Sequence, residues 1–175
     1  MIMSVEEFRT YCETSESDAM IAAKLQALEQ LIRKTTNNNF QNRNRRVIAD
    51  IHSGSFFVGA SVPFREGDTV QVSESSLNGG LYTVKKVSDI SFAVNEETDD
   101  EINVLVTRID YPVDVKMGVV NMLKWDLENR GKVGIQSETI SRHSVTYFNM
   151  DGDNSSLGYP KSLTGFLKPY MKARF

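Results

Sequence analysis

Apolar residues recur at helical spacing in the first part of the chain. Four of them lie three or four positions apart: Ile21, Leu25, Leu28 and Ile32. This spacing places their side chains on one face of an α-helix, which is typical of a face packed into a core. The cluster of Ser15, Ser17 and Asp18 suits the N-terminal cap of this helix. The asparagines at positions 37–39 suit its end, because asparagine tolerates the left-handed conformation.

A shorter helix precedes this one. Ser4 and Glu7 have the spacing of a capping box, in which each side chain satisfies a free backbone amide at the start of a helix. We therefore predict a helix from about Val5 to Cys12. Phe8 and Tyr11 would share one face of it, because they stand three positions apart.

Between Val47 and Ile109 the period of the pattern changes to two. Short segments rich in β-branched residues alternate with turns of glycine, asparagine and acidic residues. The six predicted strands are 47–51, 55–58, 69–72, 81–87, 91–94 and 103–109. Short strands at such regular spacing predict a small antiparallel β barrel, and we expect most aromatic rings of this segment in its core.

Helical spacing returns after Pro112, whose ring fixes the entry into a helix predicted to run to about Arg130. Gly131 suits its left-handed C-terminal cap. The predicted apolar face consists of Val115, Val119, Met122 and Leu123.

The rest of the chain is mostly polar and is predicted to form an extended arm followed by a short C-terminal tail. Residues 134–148 hold few apolar side chains among serines and threonines, so they cannot bury much surface and are predicted to form a hairpin or an extended arm. Ser162 is predicted to cap a short helix towards Lys172, and Pro169 limits its regularity.

These elements define an α+β fold class. Three main helices and a short C-terminal helix form a small helical bundle, which carries an inserted small antiparallel β barrel and an extended C-terminal arm. We assign residues 1–46 and 111–175 to the helical domain with its arm and tail. Residues 47–110 form the inserted barrel.

Composition narrows the class of protein. A chain of 175 residues suits one domain, or one domain with a smaller insert. The single cysteine, Cys12, excludes an internal disulfide framework, and we expect it to be buried. The N-terminus lacks a cationic region followed by an apolar run, and no stretch of about 18 apolar residues occurs. We therefore expect no secretory leader, no membrane span and synthesis in the cytoplasm.

Charge is unevenly distributed along the chain. The net charge of −3 argues against a general nucleic-acid binder, which needs concentrated cations. Residues 47–110 carry four cations and eleven carboxylates, a net charge of −7, so the remainder carries +4. The tail has four cations and no acid: Lys161, Lys168, Lys172 and Arg174. The two parts are therefore expected to face different neighbours.

Arg43, Arg45 and Arg46 form the one internal basic cluster. We interpret it as a source of surface or subunit salt bridges rather than as a DNA contact, because the adjoining acidic barrel would repel a duplex.

No catalytic constellation stands out. His52 and His143 are the only histidines, and neither has the spacing of a metal site. We expect no catalytic residue, cofactor or metal ion, and interpret the acidic run 96–101 as a hydrated hairpin tip. A metal-dependent nuclease or hydrolase using Asp99, Asp100 or Asp151 stays as an enzymatic alternative.

Four segments of the chain resemble the head-tail connector, or adaptor, proteins of long-tailed bacteriophages. They are Ser4–Phe8, Tyr111–Lys116, Gly134–Tyr147 and Leu167–Tyr170. The resemblance covers about 110 residues, those outside the barrel. The barrel itself resembles an insertion of some phage relatives in the segments Gly67–Val70 and Asn78–Tyr82, and shorter family members lack it.

The resemblance implies a structural virion protein at the head-tail interface. Such proteins assemble as a ring, typically of twelve subunits, beneath the portal at the DNA exit vertex. The ring extends the channel, through which DNA passes without sequence-specific binding, and seats the next neck or tail-completion protein. An acidic barrel would either face this channel and repel DNA, or point outward as a contact for tail parts.

The resemblance also implies two interaction sites. The portal-docking residues would be Phe166, Leu167, Lys168, Tyr170, Lys172, Arg174 and Phe175. The subunit or neck interface would include Ser137, Ile140, Arg142, His143, Val145, Tyr147 and Phe148. A head-closure or tail-completion neck protein is the alternative within the same class, and an excess of strand over helix would favour it.

Overall fold

A computed structural model describes residues 1–129, 137–140, 143–146 and 155–173. The chain divides into two compact units. One comprises Asn38–Tyr111 with Met1, and the other comprises Ile2–Asn37 with Pro112–Phe175. Among the helices of the described ranges, none has both the length and the apolar character of a membrane span.

The helical unit begins with α1 (Val5–Tyr11) and α2 (Asp18–Thr36), whose predicted caps are confirmed. The Ser4 hydroxyl accepts a hydrogen bond from the Glu7 amide, and the Ser17 hydroxyl accepts one from the Met20 amide. Asn37 ends α2 in the left-handed conformation, with φ +48°. All four residues of the predicted apolar stripe of α2 are buried: Ile21, Leu25, Leu28 and Ile32.

Two details of this region differ from expectation. Phe8 is fully buried, whereas Tyr11, the last residue of α1, is 44% exposed. Cys12 is only partly buried, because it lies just past the end of α1 in an extended conformation.

The third helix, α3 (Val113–Asn129), starts directly after Pro112 as predicted. The Lys116 amide donates to the Pro112 carbonyl in the first turn. The predicted apolar face is confirmed, since these four residues are completely buried: Val115, Val119, Met122 and Leu123. Gly131, the predicted cap, lies outside the described residues.

The predicted arm contains a backbone hairpin of β7 (Ser137–Ile140) and β8 (His143–Thr146), in which Ile140 pairs with His143. A second, shorter hairpin follows, made of β9 (Ser155–Ser156) and β10 (Tyr159–Pro160).

The tail folds as α4 (Lys161–Thr164) and a 3₁₀ helix (Gly165–Tyr170). The prediction that Ser162 caps this region was wrong. Pro160 occupies the capping position without a side-chain bond, so Ser162 falls within the first turn. Pro169 lies inside the 3₁₀ helix, which ends before Lys172. Because proline has no amide hydrogen to donate, a regular α-helix does not continue here.

The second unit is a closed antiparallel barrel with the strand order β1-β2-β5-β4-β3-β6. Its strands are β1 (Gln41–His52), β2 (Ser55–Val58), β3 (Thr69–Ser73), β4 (Gly80–Val87), β5 (Ser91–Val94) and β6 (Glu101–Ile109). The predicted α+β class with a barrel is therefore confirmed. The arrangement of the helices as a bundle stays a prediction, as does the division into domains at residues 47–110.

Strand β1 starts earlier in the structure than the sequence pattern predicts. Strand β1 begins at Gln41, opposite Ile109, and an irregular stretch follows before Arg46 pairs with Thr107. The residues of this stretch are polar and lack period two, so the pattern alone placed the strand start at Val47. Pairing with β6 overrides that local signal. The basic cluster of Arg43, Arg45 and Arg46 consequently lies on β1, within the unit Asn38–Tyr111.

The barrel core is aromatic, as expected for most of its rings. Phe56 and Phe92 stack with their ring centroids 4.7 Å apart, and Phe64 meets Phe92 edge-on at 5.2 Å. Phe57 is an exception, because its place on β2 directs it outward and leaves it 44% exposed.

The start of β6 is tied to the loop before β4 by one carboxylate. Glu101 accepts hydrogen bonds from the Ser75 hydroxyl, the Ser76 and Leu77 amides and the Asn78 side chain. These donors, led by Ser75, lower the pKa of Glu101 to about 2. The interpretation of this acidic run as merely hydrated was therefore wrong at Glu101, whose carboxylate stabilises a turn.

We predict that Glu101→Gln makes the Tm of the protein less sensitive to a fall in pH. The folded-state pKa of about 2 lies below the ordinary value of 4.5. The stabilisation is therefore present above about pH 4.5 and is lost as the pH falls towards 2. Thermal unfolding followed by circular dichroism from pH 7 to pH 2 should show a smaller fall in Tm for the variant.

Glu97→Gln provides the matched control, because Glu97 is an exposed acid of the same segment. Its pH profile should follow that of the wild type. Equal profiles for all three proteins would contradict the assigned role of Glu101.

Candidate assembly surface

Three of the four segments that carry the resemblance contact one another within the helical unit: Ser4–Phe8, Tyr111–Lys116 and Leu167–Tyr170. The Lys116 ammonium lies 3.1 Å from a Glu7 carboxylate oxygen, which joins α3 to α1. The Tyr170 hydroxyl donates to both oxygens of Asp114, at 2.7 and 2.8 Å, which joins the tail to α3. This hydrogen bond raises the pKa of Tyr170, because the donor must keep its proton. The start of α3 is therefore the point at which α1 and the tail are fixed.

Two apolar residues of the tail lie against their own unit. Leu167 is only 1% exposed. Phe166 lies against Gly118 of α3 so closely that a Cβ atom at position 118 would overlap its ring. Glycine at this position therefore permits a close approach, and a larger residue would force the Phe166 ring to move. The sequence signal for this contact was an isolated glycine within a helical pattern.

The tail is also bound through its backbone. The Lys172 amide donates to the Thr36 carbonyl at 2.8 Å, and the Asn37 side chain donates to the Ala173 carbonyl at 2.8 Å. In each of these hydrogen bonds, one partner lies at the end of α2 and the other lies just beyond the 3₁₀ helix. The tail up to residue 173 is consequently a folded surface of the helical unit.

The exposed side of the tail is basic. Lys161, Lys168 and Lys172 are all exposed, and residues 155–173 contain no acidic side chain. Among the predicted docking residues, Lys168, Lys172 and Tyr170 therefore offer the accessible polar groups. Arg174 and Phe175 lie outside the described residues.

A groove of about 350 Å³ opens beside these lysines. Its apolar lining includes Leu157, Leu167 and Met171, and its charged lining residues are Lys161 and Lys168. Three elements supply these residues: the turn between β9 and β10, α4, and the 3₁₀ helix with the residue that follows it. Sequence reasoning missed Leu157, which is an isolated leucine in a polar turn.

The predicted interface residues of the arm are placed only through the backbone. Ser137 and Ile140 lie at the two ends of β7, and His143 and Val145 lie on β8. The remaining three are outside the described residues: Arg142, Tyr147 and Phe148. The assignment of this arm to an interface stays a prediction.

On the barrel, some charges are neutralised internally and others are not. The Arg108 guanidinium lies 3.1 Å from Asp68 and 3.2 Å from Asp110. In the acidic loop before β6, the Ser53 amide donates to Asp100 and the Thr83 amide donates to Glu96. Most of the acidic loop nevertheless remains exposed to solvent.

The acidic loop also affects the pKa of a neighbouring tyrosine, Tyr82. Partial burial raises the pKa of Tyr82, and the negative charges of Glu96, Asp99 and Glu101 raise it further. The phenol of Tyr82 therefore stays neutral over a wider pH range than an ordinary tyrosine.

The side chains of the described residues do not support the alternative of a metal-dependent nuclease or hydrolase. Within the described ranges, no three His, Cys, Asp or Glu side chains are grouped so as to hold a metal ion. Asp100 lies 3.7 Å from His52 on an exposed surface, and its other oxygen accepts from the Ser53 amide. Asp151 lies outside the described residues.

Comparison with known proteins gives little further information. No protein-family model and no curated protein matches the chain. One similar solved structure is described as the neck of an empty GTA particle computed with C6 symmetry. Its identity to this chain is 12%, the match covers 99% of this chain and 91% of that chain, and the TM-score is 0.37. At these values the similarity establishes neither the fold nor the function of this chain.

We predict that Gly118→Ala destabilises the helical unit. The added methyl group displaces the Phe166 ring, and overpacking of this kind costs about 1–3 kcal/mol in the free energy of unfolding. The better helix propensity of alanine inside α3 offsets about 1 kcal/mol of this cost. Urea unfolding followed by far-ultraviolet circular dichroism measures the loss.

Gly165→Ala is the matched control. No atom lies within 4 Å of a Cβ atom added there, and Gly165 has a right-handed helical conformation with φ −59°. This variant should be neutral or slightly more stable. If both variants unfold at the same urea concentration as the wild type, the close contact with Phe166 is not significant for stability.

Proposed function

We propose that this protein is a head-tail connector, which assembles as a ring beneath a phage portal and seats the next neck component. The observation that supports this most is the meeting of three motif segments at the start of α3. Glu7, Asp114, Lys116 and Tyr170 belong to the segments that resemble the connector family, and they pair with one another. Segments distant in the sequence thus form one surface feature.

The charge distribution favours a protein with two kinds of neighbour. The exposed tail carries three lysines and no acid, whereas the acidic loop of the barrel carries several exposed carboxylates. A ring requires two different complementary surfaces on each subunit, because its contacts are head-to-tail. We assign portal docking to the tail, and the subunit or neck interface to the arm hairpin.

A ring of this kind would place the protein in the neck of the virion, with DNA passing through without sequence-specific contacts. The similar chain described above also belongs to a particle neck, but the proposal rests on the motif contacts and not on that similarity. Strands and helices have similar total lengths in the described residues, so secondary structure does not favour the head-closure alternative.

Native mass and negatively stained images of the purified protein, alone and mixed with the portal protein encoded alongside it, test this function. We expect either a ring or a smaller species that forms a cap on the portal. The cap should dissociate as salt is raised, because the docking tail is basic.

The portal mixed with an unrelated acidic protein of similar size provides the control for nonspecific adhesion. A compact monomer that neither forms a ring nor binds the portal would contradict the connector function. In that case another role in the neck would have to be considered.

A further inference from the structure

The tail offers few free apolar side chains for insertion into a partner. Leu167 is buried, and the Phe166 ring lies against Gly118. Tyr170 is held by Asp114, and the Lys172 amide is held by Thr36. If the tail is the docking element, its apolar contribution must come from another feature of the same surface.

The groove beside the tail is such a feature. Its volume of about 350 Å³ lies within the range of sites that bind small molecules or single side chains. Leu167 contributes to its apolar lining, and two partly exposed residues, Leu157 and Met171, leave apolar surface accessible to solvent. Accessible apolar surface around a concave site is typical of a docking position.

Leu157 shows a second, independent peculiarity. It lies in the turn between β9 and β10 with φ +58°, and Gly158 follows with φ +77°. A turn with two positive φ values suits glycine or asparagine, whereas a leucine is strained there. The turn nevertheless holds a leucine that is 40% exposed and lines the groove. An apolar side chain kept in a strained and exposed position indicates a contact outside the subunit.

The charges at the groove define the chemistry of its occupant. Lys161 and Lys168 line it, Lys172 follows in the sequence, and residues 155–173 contain no carboxylate. An apolar group with a neighbouring negative charge would complement this arrangement, whereas a cationic segment would be repelled.

We propose that this groove receives a segment of the portal protein in which a bulky apolar side chain stands next to carboxylates. The inference rests on the proposed connector function and deepens it. Docking then occurs by insertion of the portal segment into the tail groove, and not by insertion of the tail's own aromatic side chains into the portal.

Leu157→Gly separates binding from folding. Glycine adopts φ +58° without the clash of a Cβ atom, so the Tm of the full-length variant should be unchanged or higher. Its affinity for the purified portal protein should fall about ten-fold, because the apolar contact is lost. A leucine with only a structural role would give the opposite result, a lower Tm and an unchanged affinity.

Lys161→Glu combined with Lys168→Glu tests the charge. The affinity for the portal should fall at least about ten-fold, and its dependence on salt should weaken or reverse. The matched control is Lys85→Glu with Lys86→Glu, which makes the same change of charge on exposed residues of β4 in the barrel. The control variant should bind the portal as tightly as the wild type.

The remaining outcomes distinguish the two proposals. If the wild-type protein neither forms a ring nor binds the portal, the connector function fails and the groove inference fails with it. If it forms a ring that does not bind the portal, only the groove inference is overturned. If the wild type binds and both groove variants bind equally well, only the groove inference is overturned. If the groove variants bind the portal normally but no longer self-associate, the occupant is a second copy of this chain, which also overturns the inference.

Discussion

The helical unit depends on contacts between two stretches of chain that the barrel separates in the sequence. Residues 2–37 and the part after Pro112 must find one another after the intervening barrel residues, at the entropic cost of closing a long loop. Burial of the apolar faces of α2 and α3 offsets most of this cost, and the start of α3 adds polar contacts. It binds α1 through Lys116 and Glu7, and it binds the tail through Asp114 and Tyr170. The tail is held further by the buried Leu167, by the contact of Phe166 with Gly118 and by the hydrogen bonds at the end of α2.

Polar side chains perform a comparable task inside the barrel. Glu101 satisfies two amides, a hydroxyl and an amide side chain of the loop before β4, and Arg108 neutralises two aspartates. Each of these groups has partners within the barrel. Exposed charges of one sign cluster in two places: the acidic loop, which belongs to the barrel unit, and the basic tail, which belongs to the helical unit. Charged surfaces of opposite sign favour specific contacts with a partner and suppress wrong ones.

The candidate site was only partly predictable. The tail cations were evident from sequence, because a run without acids is visible by composition alone. The burial of Leu167 was not evident from the sequence, because a leucine in a short basic tail can be either an exposed anchor or a buried residue. Gly118 decides the position of Phe166, and Leu157 becomes notable only when its φ angle is known. These features depend on distances between segments that periodicity does not encode.

The sequence by itself determined the elements whose signals are local. The caps at Ser4, Ser17 and Asn37, the buried faces of α2 and α3, and the cores of the barrel strands follow from hydrogen bonds and side-chain periods within a few residues. Only the tertiary structure decided that polar residues from Gln41 onwards extend β1, because their partners lie on β6. It also decided that the tail folds back beside a groove. The physical reason is that strand pairing and close packing depend on partners distant in the chain, which no local pattern specifies.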